Sequence, residues 1–172
     1  IKATKDAKLA FWGPQMKDGA PSKIIVPQAT TATRFTVDGE PLELKHAGEY
    51  AAYVWIPTNK AILGGTGIAS SIHVWTADTQ TPAIRQGWMT VLGEMQSLKP
   101  QQVIPGHYLG ERPAQDEAIT FTHRYLQTFE QALKSTKGSA GVIQTMKKAY
   151  PGLADESSLE LSAKVNTGEM KW

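Results

Sequence analysis

The chain has 172 residues, enough for one domain with its own hydrophobic core. Apolar residues make up 41% of it and charged residues 20%, which indicates a globular chain. The formal net charge of only +2 argues against a nucleic-acid surface built on bulk charge. No apolar run approaches the roughly 20 residues of a membrane span. Cysteine is absent, which excludes disulfides and thiolate ligands, so any metal site must use His, Asp or Glu.

The first third of the chain predicts a short helix and then β-hairpins. Residues 1–16 carry apolar weight typical of a helix that Gly13-Pro14 ends or kinks, and residues 17–30 are typical of a loop. Two hairpins are expected after this loop. Their turns are Asp38-Gly39, between the alternating runs 33–37 and 42–44, and residues 57–60, between the runs 50–56 and 61–63.

The run Gly64-Gly65-Thr66-Gly67 follows the last of these strands directly. It lacks the Gly-Lys-Ser/Thr end of a Walker motif and the spacing of a dinucleotide-binding loop. We therefore interpret it as a sharp turn at which the backbone leaves the sheet.

An α/β unit and a helical tail complete the expected order of elements. Apolar residues at helical spacing predict an amphipathic helix over 82–98, followed by a strand at 101–104. Further helices are predicted at about 114–135, 140–149 and 159–165. The predicted class is α/β in the broad sense (α+β). It is a single domain over 1–172, made of an N-terminal helix and loop (1–30), hairpins and an α/β unit (31–108), and a helical tail (109–172).

Two histidines follow predicted strands, where loops often carry metal ligands. His107 ends the run Val103-Ile104-Pro105-Gly106-His107, in which a stiff Pro-Gly turn would fix the direction of the imidazole. His46 follows the strand-like run 41–45. Each has a second interpretation: His107 as a strand-end side chain bonded to the backbone, and His46 as an ordinary surface residue.

His73 and Asp78 are further candidates, because they lie in one short run between the hairpins and the next helix. Asp78 either caps that helix or forms an Asx turn, or it acts as a metal ligand or as a carboxylate that orients a liganding imidazole. His123 lies off the apolar stripe of its helix and is expected to be solvated.

Taken together, residues 31–108 resemble the C-terminal half of a metallo-β-lactamase-superfamily hydrolase. The run 38–44 is similar to the family's hairpin before its third metal-binding His, and the segment from His46 to Pro57 is similar to its His-Thr-x-Gly region. Residues 59–65 resemble the strand that normally ends in Gly-Asp, and Pro105-Gly106-His107 matches the closing Pro-Gly-His. The His-x-His-x-Asp-His motif is absent, and Gly65 or Thr66 stands where the bridging Asp is expected.

The resemblance implies half of an αββα sandwich with a zinc pair at one edge, where a metal-bound hydroxide attacks a carbonyl or ester. His46 would bind one metal and His107 the other, with Asp78 or His73 in place of the bridging Asp. A catalytic zinc needs three protein ligands and water, so this chain alone is expected to be inactive and to bind zinc weakly or not at all. The alternative function is a truncated, non-catalytic module that folds, dimerises and binds a small ligand in the old cleft.

The resemblance also implies a partner, because half of a sandwich leaves one sheet face bare. We expect either an isologous homodimer or association with the N-terminal half that this chain lacks. No nucleic-acid or membrane partner is predicted, and the sequence does not identify the substrate. The chain begins at Ile1, as a processed, cloned or proteolytic segment would, so any signal peptide lies upstream and the compartment stays open.

Overall fold

The computed structural model describes residues 5–172, which fall into two units, residues 5–32 and Thr33–Trp172. The first unit contains helix α1 (Lys5–Met16) and a 3-10 turn (Lys17–Gly19), followed by chain without regular structure. The predicted N-terminal helix is confirmed from Lys5 onwards, and it continues past Gly13-Pro14 to Met16. Residues 1–4 of that prediction lie outside the described residues.

The second unit has a mixed α+β architecture, as expected. It contains seven strands and four helices in the described chain. The strands are β1 (Arg34–Val37), β2 (Glu40–Lys45), β3 (Tyr53–Ile56), β4 (Ala61–Leu63), β5 (Ala69–Ser70), β6 (Gln102–Ile104) and β7 (His107–Tyr108). The helices are α2 (Pro82–Ser97), α3 (Glu117–Ser135), α4 (Gly138–Ala149) and α5 (Glu156–Asn166).

The main sheet has the strand order β1-β2-β3-β4-β6. The first four strands pair antiparallel through two hairpins, and β6 joins β4 in parallel after the α2 crossover. Asp38 and Gly39, with φ of 50° and 86°, form the first turn. Positive φ at both central residues is typical of a type I′ hairpin, which is what the Asp-Gly pair predicted.

Helices cover one face of this sheet. Tyr53, Ile62 and Val103 belong to one core cluster with Trp88 and Leu92 of α2 and with side chains of α3, α4 and α5. Burial of the sheet's own aromatic and aliphatic residues against helices provides the main driving force for this layer. No helix in residues 5–172 combines the length and hydropathy that a membrane span needs.

A buried arginine links three of the helices. Arg85 of α2 is 2% exposed, and its guanidinium pairs with the Glu130 carboxylate of α3 and donates to the Asn166 side chain of α5. It also donates to the carbonyl of Thr79. Because the cation is removed from water, these partners together must replace its hydration.

Two differences from the predicted elements have a clear physical reason. Strand β3 begins at Tyr53 instead of Tyr50, because Tyr50 leaves the sheet, donates its hydroxyl to the carbonyl of Trp75 and packs its ring 4.6 Å from that of Trp88. The second sheet, in which β5 and β7 pair in parallel, was not predicted. Its strands have two residues each, too short for a periodic signal.

Candidate functional site

Three loops leave the main sheet at one edge. Strand β2 is antiparallel to β3, β3 is antiparallel to β4, and β4 is parallel to β6, so β2, β4 and β6 run in the same direction. Their carboxyl ends therefore lie at the same edge. His46 follows β2, Gly64-Gly65 follows β4, and Pro105-Gly106-His107 follows β6. The carboxyl-end loops of a sheet are a common place for ligand sites.

The loops after β4 and β6 are in direct contact. The Gly64 N–H donates to the Ile104 carbonyl at 2.9 Å, and the Gly106 N–H donates to the Ile68 carbonyl at 3.1 Å. A Cβ atom on Gly106 would lie 2.0 Å from the Gly65 carbonyl oxygen, so the position requires glycine. Gly65 itself has a φ of 48°. The predicted sharp turn is confirmed, and the backbones of Gly65 and Gly106 approach each other closely there, at a point that we call the crossing.

His107 is exposed immediately beyond this crossing. It is the first residue of β7 and pairs with Ala69 of β5. Its backbone is thus fixed by a ladder, while its ring is open to solvent. An exposed ring on a fixed backbone is compatible with a metal-binding histidine. It is equally compatible with a strand-end histidine that binds no metal.

His46 is held by two carboxylates. Its φ is 53°, a left-handed conformation that turns the chain sharply out of β2. Its Nδ1 lies 3.2 Å from a Glu49 oxygen, and its Nε2 lies 2.7 Å from an oxygen of Glu94 on α2. Partial burial lowers the pKa of His46, but its hydrogen bonds to the Glu49 and Glu94 carboxylates and their negative charges outweigh this effect, so the pKa is raised overall.

This arrangement favours the imidazolium form of His46. With a carboxylate at each ring nitrogen, both nitrogens act as donors, and neither lone pair is free for a metal. The two carboxylates flank opposite sides of the ring, so they do not converge on one cation with it. A metal at His46 would have to displace Glu49 or Glu94.

His46 and His107 share an edge but are not neighbours. Strands β2 and β6 are separated by β3 and β4, which places their axes about 14 Å apart at a spacing of about 4.8 Å per strand. Ligands of one zinc ion lie about 2 Å from it. The strand spacing therefore argues against a single zinc ion bound by both imidazoles.

His73 and Asp78 have other partners. His73 is 1% exposed, and its Nδ1 lies 2.9 Å from the hydroxyl of Tyr125 on α3. Burial lowers the pKa of His73. Asp78 accepts hydrogen bonds from the indoles of Trp75 and Trp172, each at 3.0 Å.

The helix that Asp78 was considered to cap is capped by another residue. The Thr81 hydroxyl accepts the hydrogen bond from the Ile84 N–H at 3.3 Å, at the start of α2. His123, expected to be solvated, is half-buried and lines a groove between α2 and α3.

The described residues do not complete a zinc site. Across residues 5–172, no group of three or more His, Cys, Asp or Glu side chains is arranged to hold a metal ion. His46 has both ring nitrogens occupied, and the Asp78 oxygens face two indoles. The two strand-end histidines supply at most two ligands, whereas a catalytic zinc takes three from the protein.

A cavity of about 520 Å³ lies beside the His46 loop. Glu49, which contacts His46, and Asp78 both line this cavity. Tyr50 and Trp88 line it as well. Burial raises the pKa of Tyr50, so this phenol stays neutral. The volume is within the range of small-ligand pockets.

Glu94 is a neighbour of His46 that sequence reasoning missed. It lies 48 residues from His46, on the solvent side of an amphipathic helix, and no local pattern marks it. Glu49 is exposed, and its i+3 spacing from His46 in a turn is a local signal for their contact. No protein-family model matches the sequence, and the search of curated proteins found no significant match.

Proposed function

We propose that this chain is the C-terminal portion of a metal-dependent, zinc-type hydrolase of the metallo-β-lactamase superfamily, inactive without further ligands. The observation that supports it is the common edge at which β2, β4 and β6 end. That edge carries His46, the Gly64-Gly65 turn and Pro105-Gly106-His107, which are the residues on which the resemblance rests. The mixed sheet with helices on one face agrees with half of a sandwich.

The proposal assigns limited roles to the chain's own residues. His107 would offer an exposed imidazole as one ligand, and His46 would offer another once a carboxylate released it. Glu94 would keep His46 protonated until then. Because the present side chains do not complete a metal site, we assign no catalytic step to them.

Two measurements test this proposal. Zinc added to the purified chain is expected to leave its melting temperature almost unchanged, because a protein with at most two ligands gains little from binding. A large rise would contradict the claim that the chain lacks a complete site.

The second measurement is metal analysis, with ester, thioester and lactam hydrolysis assays, on the full reading frame that contains this segment. There, His46→Ala and His107→Ala should each lower the bound zinc, whereas His123→Ala should not. Unchanged zinc content in the first two variants would overturn the proposal.

A second candidate is a non-catalytic module that binds a small ligand. The observation favouring it is that His46, His73 and Asp78 already have hydrogen-bond partners. The cavity beside Glu49 and Asp78 would be the binding site. A reading frame with a start codon next to Ile1 would support this module, and one with an upstream His-x-His-x-Asp-His motif would support the hydrolase.

A further inference from the structure

The cavity beside the His46 loop lies between three segments of the second unit. Its lining comes from residues 48–51, between β2 and β3, from Asp78 in the segment before α2, and from Ile84, Gly87 and Trp88 of α2. Its volume of about 520 Å³ would hold a small organic molecule. The second candidate function places its ligand here, so the chemistry of this lining indicates the class of ligand.

Two aromatic rings contribute apolar surface to the lining. The rings of Tyr50 and Trp88 lie 4.6 Å apart at an angle of 57°, so they make one contiguous aromatic surface. The Trp88 indole N–H donates to the Gly67 carbonyl at 2.8 Å. The Tyr50 hydroxyl donates to the Trp75 carbonyl at 3.2 Å. Both donors are used within the protein, so a ligand would meet mainly ring surface, which attracts cations as well as apolar groups.

The charged side chains of the lining are both acidic. They are Glu49 and Asp78, and none of the described lining residues is a lysine, arginine or histidine. The nearest described cation is His46, which contacts Glu49 at 3.2 Å from outside the lining. Two carboxylates and one imidazolium still sum to a charge of −1. The cavity therefore disfavours an anionic ligand and favours a cationic one.

The Asp78 carboxylate has a fixed orientation beside the aromatic surface. Its two oxygens accept hydrogen bonds from the indoles of Trp75 and Trp172, each at 3.0 Å. Both indoles are neutral donors, so they orient the carboxylate without cancelling its charge. Burial raises the pKa of Tyr50, and the negative charge of Asp78 raises it further. This effect on Tyr50 indicates that the negative charge lies close to the aromatic rings.

We propose that this cavity binds a small organic ammonium ion. Its positive charge lies near Glu49 and Asp78, and its carbon groups pack on Tyr50 and Trp88. A neutral molecule of the same shape makes the apolar contacts alone, and an anion of that shape is repelled. The inference rests on the second candidate function, for which it names the ligand class, and it does not depend on the hydrolase proposal.

Three probes of matched shape test the ligand class by NMR titration of the 172-residue chain. They are choline, the neutral alcohol in which carbon replaces its nitrogen, and the carboxylate anion with the same tertiary butyl group. Choline should shift the amide signals of Gly48 and Gly87, which line the cavity, but not those of Gly39 and Gly168. The alcohol should bind about tenfold more weakly, the anion should not bind, and added salt should weaken choline binding.

Two results of this titration would overturn the proposal in distinguishable ways. Equal binding of choline and the alcohol at Gly48 and Gly87 would reject the ammonium class and leave a ligand-binding module in place. Absence of shifts at both glycines with all three probes would reject the cavity as a site, and with it the second candidate function. The zinc measurements on the hydrolase proposal are unaffected by either result.

Variants that remove one charge test the role of the carboxylates. Glu49→Gln and Asp78→Asn keep the size of the side chain, and each should weaken choline binding roughly two- to fivefold at low salt. Binding of the neutral alcohol should stay unchanged in both variants. Glu160→Gln, which removes an exposed carboxylate from α5, should change neither ligand. Unchanged choline binding in both cavity variants, or equal weakening of choline and alcohol, would contradict the assigned roles.

Two glycines of α2 give a matched pair for blocking the cavity. A Cβ atom on Gly87 or on Gly93 would meet nothing within 4 Å, and of the two only Gly87 lines the cavity. Gly87→Leu should therefore weaken choline binding at least about tenfold by filling the space, whereas Gly93→Leu should not. Thermal melting would verify that both variants are folded. Full choline binding by folded Gly87→Leu would overturn the proposed site.

Discussion

The Nε2 atom of His46 lies 2.7 Å from a carboxylate oxygen of Glu94, and this contact ties the loop after β2 to helix α2. The second ring nitrogen faces Glu49 at 3.2 Å. The His46–Glu94 contact thus connects the edge of the sheet to the helical layer. Because His46 gains and loses its proton with pH, the strength of this contact depends on pH.

Glu94→Gln is expected to lower the pKa of His46. The raised pKa in the folded protein means that His46 adds stability below its unfolded pKa, about 6.5, and that this contribution disappears as pH rises through the folded pKa. NMR titration of the imidazole would measure the change. Glu49→Gln should also lower the pKa of His46, because the Glu49 carboxylate accepts from the other ring nitrogen, and Glu160→Gln on α5 should have no effect. An unchanged titration in Glu94→Gln would contradict the assigned contact.

His73 should have the opposite pH dependence. Burial lowers its pKa, while Glu156 and Asp155 raise it and Lys147 lowers it further. Because the unfolded chain binds the proton more readily, the free energy of unfolding falls as pH drops below about 6.5. We would compare urea unfolding at neutral and at mildly acidic pH. The free energy of unfolding should fall at acidic pH in the wild type and in the control His123→Gln, and the part of this fall that is due to His73 should be absent in His73→Gln. Equal acid loss in all three proteins would refute the prediction.

Gly106→Ala should destabilise the protein by about 1–3 kcal/mol, the usual range for an overpacked site. The added Cβ would lie 2.0 Å from the Gly65 carbonyl oxygen, a backbone atom that cannot rotate away. Gly93→Ala is the matched control, since a Cβ there meets nothing within 4 Å and Ala is favoured in a helix. Chemical denaturation should give a loss for the first and no loss for the second. Equal stabilities would mean that the crossing is looser than described.

Glu130→Ala should cost about 3–5 kcal/mol, because it leaves the buried Arg85 cation without its carboxylate. The Glu130 side chain is 13% exposed and that of Arg85 is 2% exposed, so solvent cannot replace the lost partner. Lys147→Ala, which removes an exposed pair with Glu156, should change stability little. Comparable losses of stability in the two variants would show that the burial of Arg85 does not determine the cost of removing its carboxylate partner.

The order of elements could be predicted because its signals are local. Asp38-Gly39 between alternating runs specified the first hairpin, and apolar spacing specified α2 and α3. The same reasoning placed His46 and His107 after strands. It could not supply the contact between His46 and Glu94, since 48 residues separate them and only packing of α2 brings them together. His73 shows the same limit: its partner Tyr125 is 52 residues away.

The crossing of Gly65 and Gly106 constrains how this edge of the molecule can be redesigned. A side chain at Gly106 would meet the Gly65 carbonyl, so the loop after β6 cannot take a bulkier residue there unless the loop after β4 moves. New chemistry is more easily introduced at Thr66 and His107, which flank the crossing and are both exposed. An acidic residue grafted at Thr66 would be the smallest change that tests whether this scaffold accepts a metal.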